Sequence, residues 1–179
     1  MMYQTRKVLS LAVIAAMTAC DGSATAPDGQ TLEVQLQAST QGSVLAEARA
    51  ATARFHNVDA AIAAGYVQRT PCLVAEGIRY GKQSLIFDGV IDSSQPELLI
   101  YVPTKSGHLR LAAVQYLVPA SLWDATNSSP PSLGDQPFMD RRSPPFGSPL
   151  GPNYSIVAWV WMHNPSGMYE LFNPAVTCE

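Results

Sequence analysis

The apolar positions of the chain follow a helical period up to Gly65 and a strand period after it. Residues 43–54 are rich in Ala, Glu and Arg, which are strong helix formers, and Ser43 is a suitable N-cap. Residues 57–65 predict a second, shorter helix that begins at Asn57 and ends at Gly65. The pattern therefore predicts a helical N-terminal section made of two helices.

Six short runs after Gly65 predict β-strands, because they are apolar or alternating and are separated by turn-forming residues. They are residues 66–69, 72–78, 84–87, 98–102, 108–118 and 155–162. Connections of only a few residues suit antiparallel neighbours. We therefore expect an α+β domain in which the two helices pack on a strongly curved antiparallel sheet or a small barrel.

Residues 127–153 interrupt the strand pattern with seven prolines and little apolar periodicity. A stretch of this length without regular structure is uncommon in a compact domain, and it is often functional or disordered. We expect this long proline-rich loop to cover one end of the sheet.

The first 20 residues resemble a bacterial lipoprotein signal. Arg6 and Lys7 precede an apolar run at residues 11–17, and two small residues then lead to Cys20. The resemblance implies that residues 1–19 are a signal peptide, that cleavage occurs before Cys20, and that this cysteine carries acyl chains. An ordinary secretory signal with an incidental cysteine is the alternative.

The segment after the signal, residues 20–42, has a polar composition that predicts a flexible tether, with a short strand at 31–36 as the alternative. Residues 43–179 suit a single domain with one core. No later segment is apolar enough to span a bilayer. We therefore expect the domain at the periplasmic face of a bacterial membrane, held by lipid on Cys20. The sequence leaves open whether this is the inner or the outer membrane.

The charge balance argues against a nucleic-acid partner. Removal of the signal takes Arg6 and Lys7 from the 11 basic residues, which leaves nine against 14 acidic residues and a net charge near −5. A nucleic-acid-binding domain is expected to carry a basic patch, and none is evident. A small ligand or another envelope component is the expected partner.

Two cysteines remain after cleavage, Cys72 and Cys178. An even pair in an oxidising compartment usually forms a disulfide, and we predict that bond here. Closing a loop of about 100 residues stabilises a fold by up to about 4.7 kcal/mol in the chain-entropy model. A reactive thiol is the alternative, although the chain has no Cys-x-x-Cys motif.

None of the three histidines lies in a metal-binding motif. His56, His108 and His163 have no histidine partner at the i, i+4 spacing, and no paired-cysteine ligand motif is present. We therefore predict neither a metal nor a cofactor.

Trp159, Trp161 and His163 share one face of the last predicted strand, because alternate residues of a strand point the same way. An aromatic wall with a histidine at its rim is typical of a small-ligand site. Arg79, Tyr80 and Tyr101 are candidate neighbours in that site. The alternative is a core strand whose end reaches solvent.

Three carboxylates lie close together in the sequence, at Asp88, Asp92 and Glu97. They could act as a general acid and base together with His163 if burial separated their pKa values. Turn formation is the simpler interpretation, because Asp88 and Gly89 form a strong hairpin signal. The chain has no nucleophile motif, so we do not expect an enzyme, and an envelope hydrolase is kept only as an alternative.

Three stretches together, residues 60–80, 88–119 and 158–178, resemble a family of uncharacterised secreted bacterial proteins. Its pattern joins Ala-x-x-x-Gly-Tyr, Pro-Glu-x-Leu-x-Tyr, a proline-rich loop, and Trp-x-Trp-x-x-Asn-Pro-x-Gly-Met before a terminal cysteine. The resemblance implies a secreted domain, supports the cysteine pairing and brings no activity. Family members often carry histidines where this chain has Arg79 and Val157, so any site built on them would be lost here.

These observations favour a membrane-tethered envelope lipoprotein that binds a small ligand or another envelope component. The alternatives from other classes are the hydrolase described above and a purely structural or interaction module.

Overall fold

The structure is a computed structural model, which describes residues 29–144, 148 and 150–178. The predicted signal peptide and Cys20 lie outside these residues. No helix of the described chain has the length and apolar character that crossing a membrane requires.

The helical section is longer than the sequence indicates. It consists of α1 (Gly29–Thr52), a 3₁₀ turn (Ala53–His56) and α2 (Val58–Ala63). Helix α1 therefore occupies most of the predicted tether, where Leu, Gln, Glu and Ala are compatible with a helix. The second helix begins as predicted, because the Asn57 side chain accepts a hydrogen bond from the Asp59 N–H at 3.0 Å. Gly65 ends this section with φ +93°.

Six strands form one open sheet. They are β1 (Val67–Gln68), β2 (Ile78–Gly81), β3 (Leu98–Pro103), β4 (Leu109–Pro119), β7 (Met139–Asp140) and β8 (Asn153–Ala158). Their order in the sheet is β1-β2-β3-β4-β8-β7, and every neighbouring pair is antiparallel. The α+β class and the antiparallel sheet are confirmed. The small barrel is wrong, because the two edge strands do not pair with each other and the sheet stays open.

The sheet separates two groups of buried side chains. One face carries Tyr101, Tyr116 and Ile156 in a cluster that includes Ala48 and Phe55 from the helical section. The second face carries two smaller clusters, formed by Ile100, Val102, Ala112, Ala113, Val157, Trp159 and Val176, and by Ile86, Leu98 and Leu117. Strands β3, β4 and β8 are therefore buried on both faces, which explains why their sequences are apolar almost without interruption.

Two predicted strands are wrong. Residues 84–86 lie in a short helix after β2, α3 (Gln83–Ile86), and Phe87 is its C-cap. Residues 72–77 form a tight turn closed by a bridge between Leu73 and Gly77, and only Ile78 belongs to a strand. The turn requires positive φ at Ala75 (65°) and Gly77 (74°), which an extended strand does not allow.

The C-terminal tail is fastened to this turn. Cys72 and Cys178 form the predicted disulfide, with 5.7 Å between their Cα atoms. The backbone adds two hydrogen bonds, from Ala75 N–H to the Val176 carbonyl at 3.0 Å and from Asn173 N–H to the Ala75 carbonyl at 2.8 Å. The tail and the turn therefore hold each other in place.

The proline-rich segment is partly regular. After helix α4 (Ala120–Trp123), strands β5 (Ser132–Leu133) and β6 (Gln136–Pro137) pair with each other, and β7 joins the main sheet beside β8. Leu133 and Phe138 are buried in the main core cluster. This part of the chain therefore packs on the domain, although the sequence predicts no elements there.

Candidate functional site

The expected wall of Trp159, Trp161 and His163 is not formed, because β8 ends at Ala158 and the alternation of side chains ends with it. The Trp159 side chain is buried on the second face of the sheet, and its indole N–H donates to the Glu170 carbonyl at 2.7 Å. Trp161 packs instead against the helical section, where its N–H donates to the Thr52 hydroxyl at 3.1 Å. His163 is exposed. The three residues therefore do not line a common cavity.

Tyr80 and Tyr101 also belong to the core. Their rings meet edge to face at 5.1 Å, and the Tyr101 hydroxyl donates to the Phe55 carbonyl at 2.7 Å. Burial raises the pKa of Tyr101 well above its usual range. Both rings lie on the face of the sheet that carries the helical section, away from Arg79.

Arg79 leads to a different site, a cavity of about 450 Å³ against the second face of the sheet. We call it the arginine cavity. Its described lining residues are Arg69, Thr70, Leu73, Glu76, Arg79, Leu98, Gln115, Arg141, Ser148 and Leu150. Its volume lies within the range of roughly 300–1,000 Å³ that is usual for small-ligand sites.

Two short contacts fix the Arg79 side chain, of which only 8% is exposed. Its Nε donates to Gln115 Oε1 at 3.0 Å, and its guanidinium forms an ion pair with the Glu76 carboxylate at 2.8 Å. Gln115 is itself buried in the middle of β4. A buried arginine is stable only when it is paired, and these partners pair it at Nε and at one terminal nitrogen while fixing the guanidinium.

The described lining residues of the cavity carry more positive than negative charge. They include three arginines, Arg69, Arg79 and Arg141, and one carboxylate, that of Glu76. Burial lowers the pKa of Arg141, and the positive charge of Arg79 lowers it further, whereas Glu76 raises it. The shift indicates that two guanidinium groups share one partly desolvated space.

Local backbone features bring these arginines together. Arg69 follows β1, and its backbone N–H donates to the Arg79 carbonyl at 2.7 Å. Its side chain crosses the strand at Gly81, where an added Cβ would lie only 3.1 Å from Arg69 Cγ. Arg141 follows β7, and its N–H donates to the Asn153 carbonyl at 2.9 Å. The two edges of the sheet thus supply arginines to one cavity.

A second cavity, of about 260 Å³, adjoins the arginine cavity and shares Arg69 and Leu150 with it. We call it the apolar cavity. It is lined by Arg69, Gln83, Ile86, Phe87, Leu117, Pro119, Leu150 and Asn153. Phe87 and Leu150 are more than half exposed.

The sequence analysis named Arg79 as a candidate site residue beside Tyr80 and Tyr101. In the structure those two tyrosines lie on the other face of the sheet. The available signal was a pair of polar residues inside apolar strands, Arg79 in β2 and Gln115 in β4, since buried polar side chains require partners. Arg141 carried no local signal, because its position depends on how the proline-rich segment returns to the sheet.

The carboxylates do not form a catalytic group with His163. Asp88 accepts from Val90 N–H at 2.8 Å, and Asp92 accepts from Ser94 and Gln95, which lower its pKa. These contacts are typical of turns. Glu97 accepts from Leu117 N–H, whereas Trp161, two residues before His163, donates to the Ala112 carbonyl. Ala112 and Leu117 are roughly 17 Å apart along β4 at about 3.4 Å per residue.

Glu97 is nevertheless unusual, because it is 1% exposed. Burial raises its pKa to about 8; Asp88 and Asp92 raise it further, and the Leu117 N–H bond opposes the shift. The side chain is therefore largely protonated at neutral pH. Glu97 does not line either cavity, so its contribution is to the core.

The described residues contain no group of three or more His, Cys, Asp or Glu side chains that could hold a metal ion. The chain matches no model of a known protein family, and its comparisons with curated proteins and with solved structures give no match either. The arginine cavity is therefore interpreted from its own chemistry.

Proposed function

We propose that this protein is an envelope lipoprotein whose domain binds a small oxyanion, a carboxylate or a phosphate, in the arginine cavity. The observation that carries the proposal is the charge of the lining, with three guanidinium groups against one carboxylate among the described residues. An oxyanion would offset this excess and accept hydrogen bonds from planar arginine donors.

Preorganisation supports the same function. Gln115 and Glu76 already hold Arg79 in one orientation, so an anion would not have to pay the entropy of ordering that side chain. Leu73, Leu98 and Leu150 add apolar surface to the lining, which lowers the local dielectric and strengthens the attraction between ligand and arginine.

The two N-terminal helices would cover the opposite face of the sheet, as their residues in the main core cluster suggest. The cavity would then face away from the helical section and from the membrane tether at Cys20. A location outside the cytosol agrees with the disulfide, because such bonds persist in oxidising compartments.

Calorimetric titration of the purified protein with inorganic phosphate and with acetate tests the binding function. We expect one of the two to bind, with an affinity that falls as salt is added. Arg141→Gln should weaken that binding at least tenfold. Arg142→Gln is the matched control, because Arg142 is exposed, pairs with Asp124 and Asp140, and should leave the affinity within twofold of the parent.

Absence of binding by both anions at millimolar concentration would contradict the binding function. Equal losses of affinity in Arg141→Gln and Arg142→Gln would contradict it as well. The membrane anchor is tested separately by mass spectrometry of the protein from its native membrane, where we expect a chain that begins at an acylated Cys20. An uncleaved, unmodified amino terminus would contradict the anchor and leave the binding function in place.

A further inference from the structure

The two adjoining cavities differ in chemistry in a way that defines a class of ligand. We infer that the ligand of the arginine cavity is an amphipathic anion, with its charged head among the arginines and an acyl chain in the apolar cavity. The inference rests on the proposed oxyanion-binding function and extends it to the rest of the ligand.

The first argument is the continuity of the two cavities. Arg69 and Leu150 line both, so they form a shared wall between a charged compartment and an apolar one. The apolar cavity is built mainly from Ile86, Phe87, Leu117, Pro119 and Leu150. An inorganic anion would fill only the charged compartment and would leave the exposed apolar surface of the other in water.

The second argument is the lining of the apolar cavity, which favours a hydrocarbon chain over a peptide. A peptide would bring many amide groups, and few polar side chains line this cavity to receive them.

The test compares three probes on the purified protein by calorimetry, below the concentration at which any of them forms micelles. They are acetate, dodecanoate and dodecyltrimethylammonium. We expect dodecanoate to bind at least a hundredfold more tightly than acetate, because the chain leaves water. The cation should not bind.

Two variants locate the chain. Phe87→Ser should weaken the binding of dodecanoate at least fivefold and leave the affinity for acetate unchanged. Phe172→Ser is the matched control, because Phe172 is similarly exposed (52% against 61% for Phe87) but does not line the cavity. Both residues are exposed, so neither substitution should prevent folding.

The outcomes separate the two proposals. If acetate or phosphate binds through Arg141 but dodecanoate binds no more tightly than acetate, the proposed acyl-chain site is contradicted and the oxyanion-binding function stands. If the cation binds as well as dodecanoate, or Phe172→Ser acts like Phe87→Ser, the amphipathic site is wrong altogether.

Discussion

Arg79 donates from Nε to Gln115 Oε1 across 3.0 Å, and this bond joins β2 to β4 although β3 lies between them. The bond fixes the central guanidinium of the arginine cavity by means of a neutral acceptor. A neutral acceptor leaves the net positive charge of the lining unchanged, whereas a second carboxylate beside Glu76 would lower it. The identity of residue 115 should therefore control anion binding separately from folding.

Gln115→Glu tests this control. The Glu side chain retains an acceptor for Arg79 but adds a negative charge, so anion affinity should fall at least tenfold. The buried ion pair should keep the melting temperature within a few degrees of the parent, because a well-paired buried charge is tolerated. Calorimetric titration and thermal unfolding measure the two effects. Unchanged affinity with normal stability would show that the charge of the lining does not attract the ligand.

Glu97→Gln should make stability less dependent on pH. The folded pKa of Glu97, about 8, lies above its unfolded value of 4.5. Its stabilising contribution is therefore fully present below pH 4.5 and is lost as the pH rises through 8. Glutamine stays neutral and can accept the Leu117 N–H bond, so the variant should be more stable near pH 9 by on the order of 3 kcal/mol.

Urea unfolding of both proteins at pH 4.5, 7 and 9 checks the Glu97 prediction. At the lowest pH the two free energies of unfolding should nearly agree, because Glu97 is protonated in the folded protein. A parent protein that is more stable than the variant at pH 9 would contradict the assignment of a buried, protonated acid.

Cys72→Ser combined with Cys178→Ser should lower the free energy of unfolding by about 3 kcal/mol, since the bond closes a long loop. The turn at 72–77 also supplies Leu73 and Glu76 to the arginine cavity. Loosening it should weaken anion binding a few-fold under conditions where the variant is still folded. Chemical unfolding and calorimetry measure both, and a variant as stable as the parent would show that the bond adds little.

Gly77→Ala should be strongly destabilising. Gly77 has φ +74°, and an added Cβ would lie 2.6 Å from the Tyr101 carbonyl oxygen. Strained backbone and a clash with β3 should together cost roughly 2–4 kcal/mol. Gly107→Ala is the matched control, because Gly107 has φ +80° but no atom within 4 Å of the added Cβ. Thermal unfolding of the two variants separates the effect of the clash from that of the strained backbone. Equal losses of stability in the two variants would contradict a contribution from the clash.

The parts of the fold that local chemistry determines could be predicted from the sequence. Asn57 caps α2 as expected, because the cap depends only on the residues that follow it. Strand β4 spans residues 109–119, close to its predicted bounds, because a long apolar run with β-branched residues can be buried on both faces. The disulfide followed from the cysteine number and the predicted compartment.

The parts that depend on distant contacts could not be predicted. The alternation that aligned Trp159 with His163 fails because the backbone turns away after Ala158, where Trp159 N–H donates to the Met168 carbonyl. Residues 84–87 have strand-like composition, yet they form the end and the C-cap of a short helix because the chain must turn back between β2 and β3. The arginine cavity collects residues from both edges of the sheet, and no spacing in the sequence reports that arrangement.

The six-stranded sheet ends on both sides in strands of only two residues, β1 and β7. Such short borders give a neighbouring molecule little main chain with which to pair, and proteins use this arrangement to avoid fibrous self-association. The proposed lipid anchor would hold the domain at a two-dimensional surface, where copies of the chain would meet at high local density. The short edge strands would let many copies lie side by side without pairing their sheets.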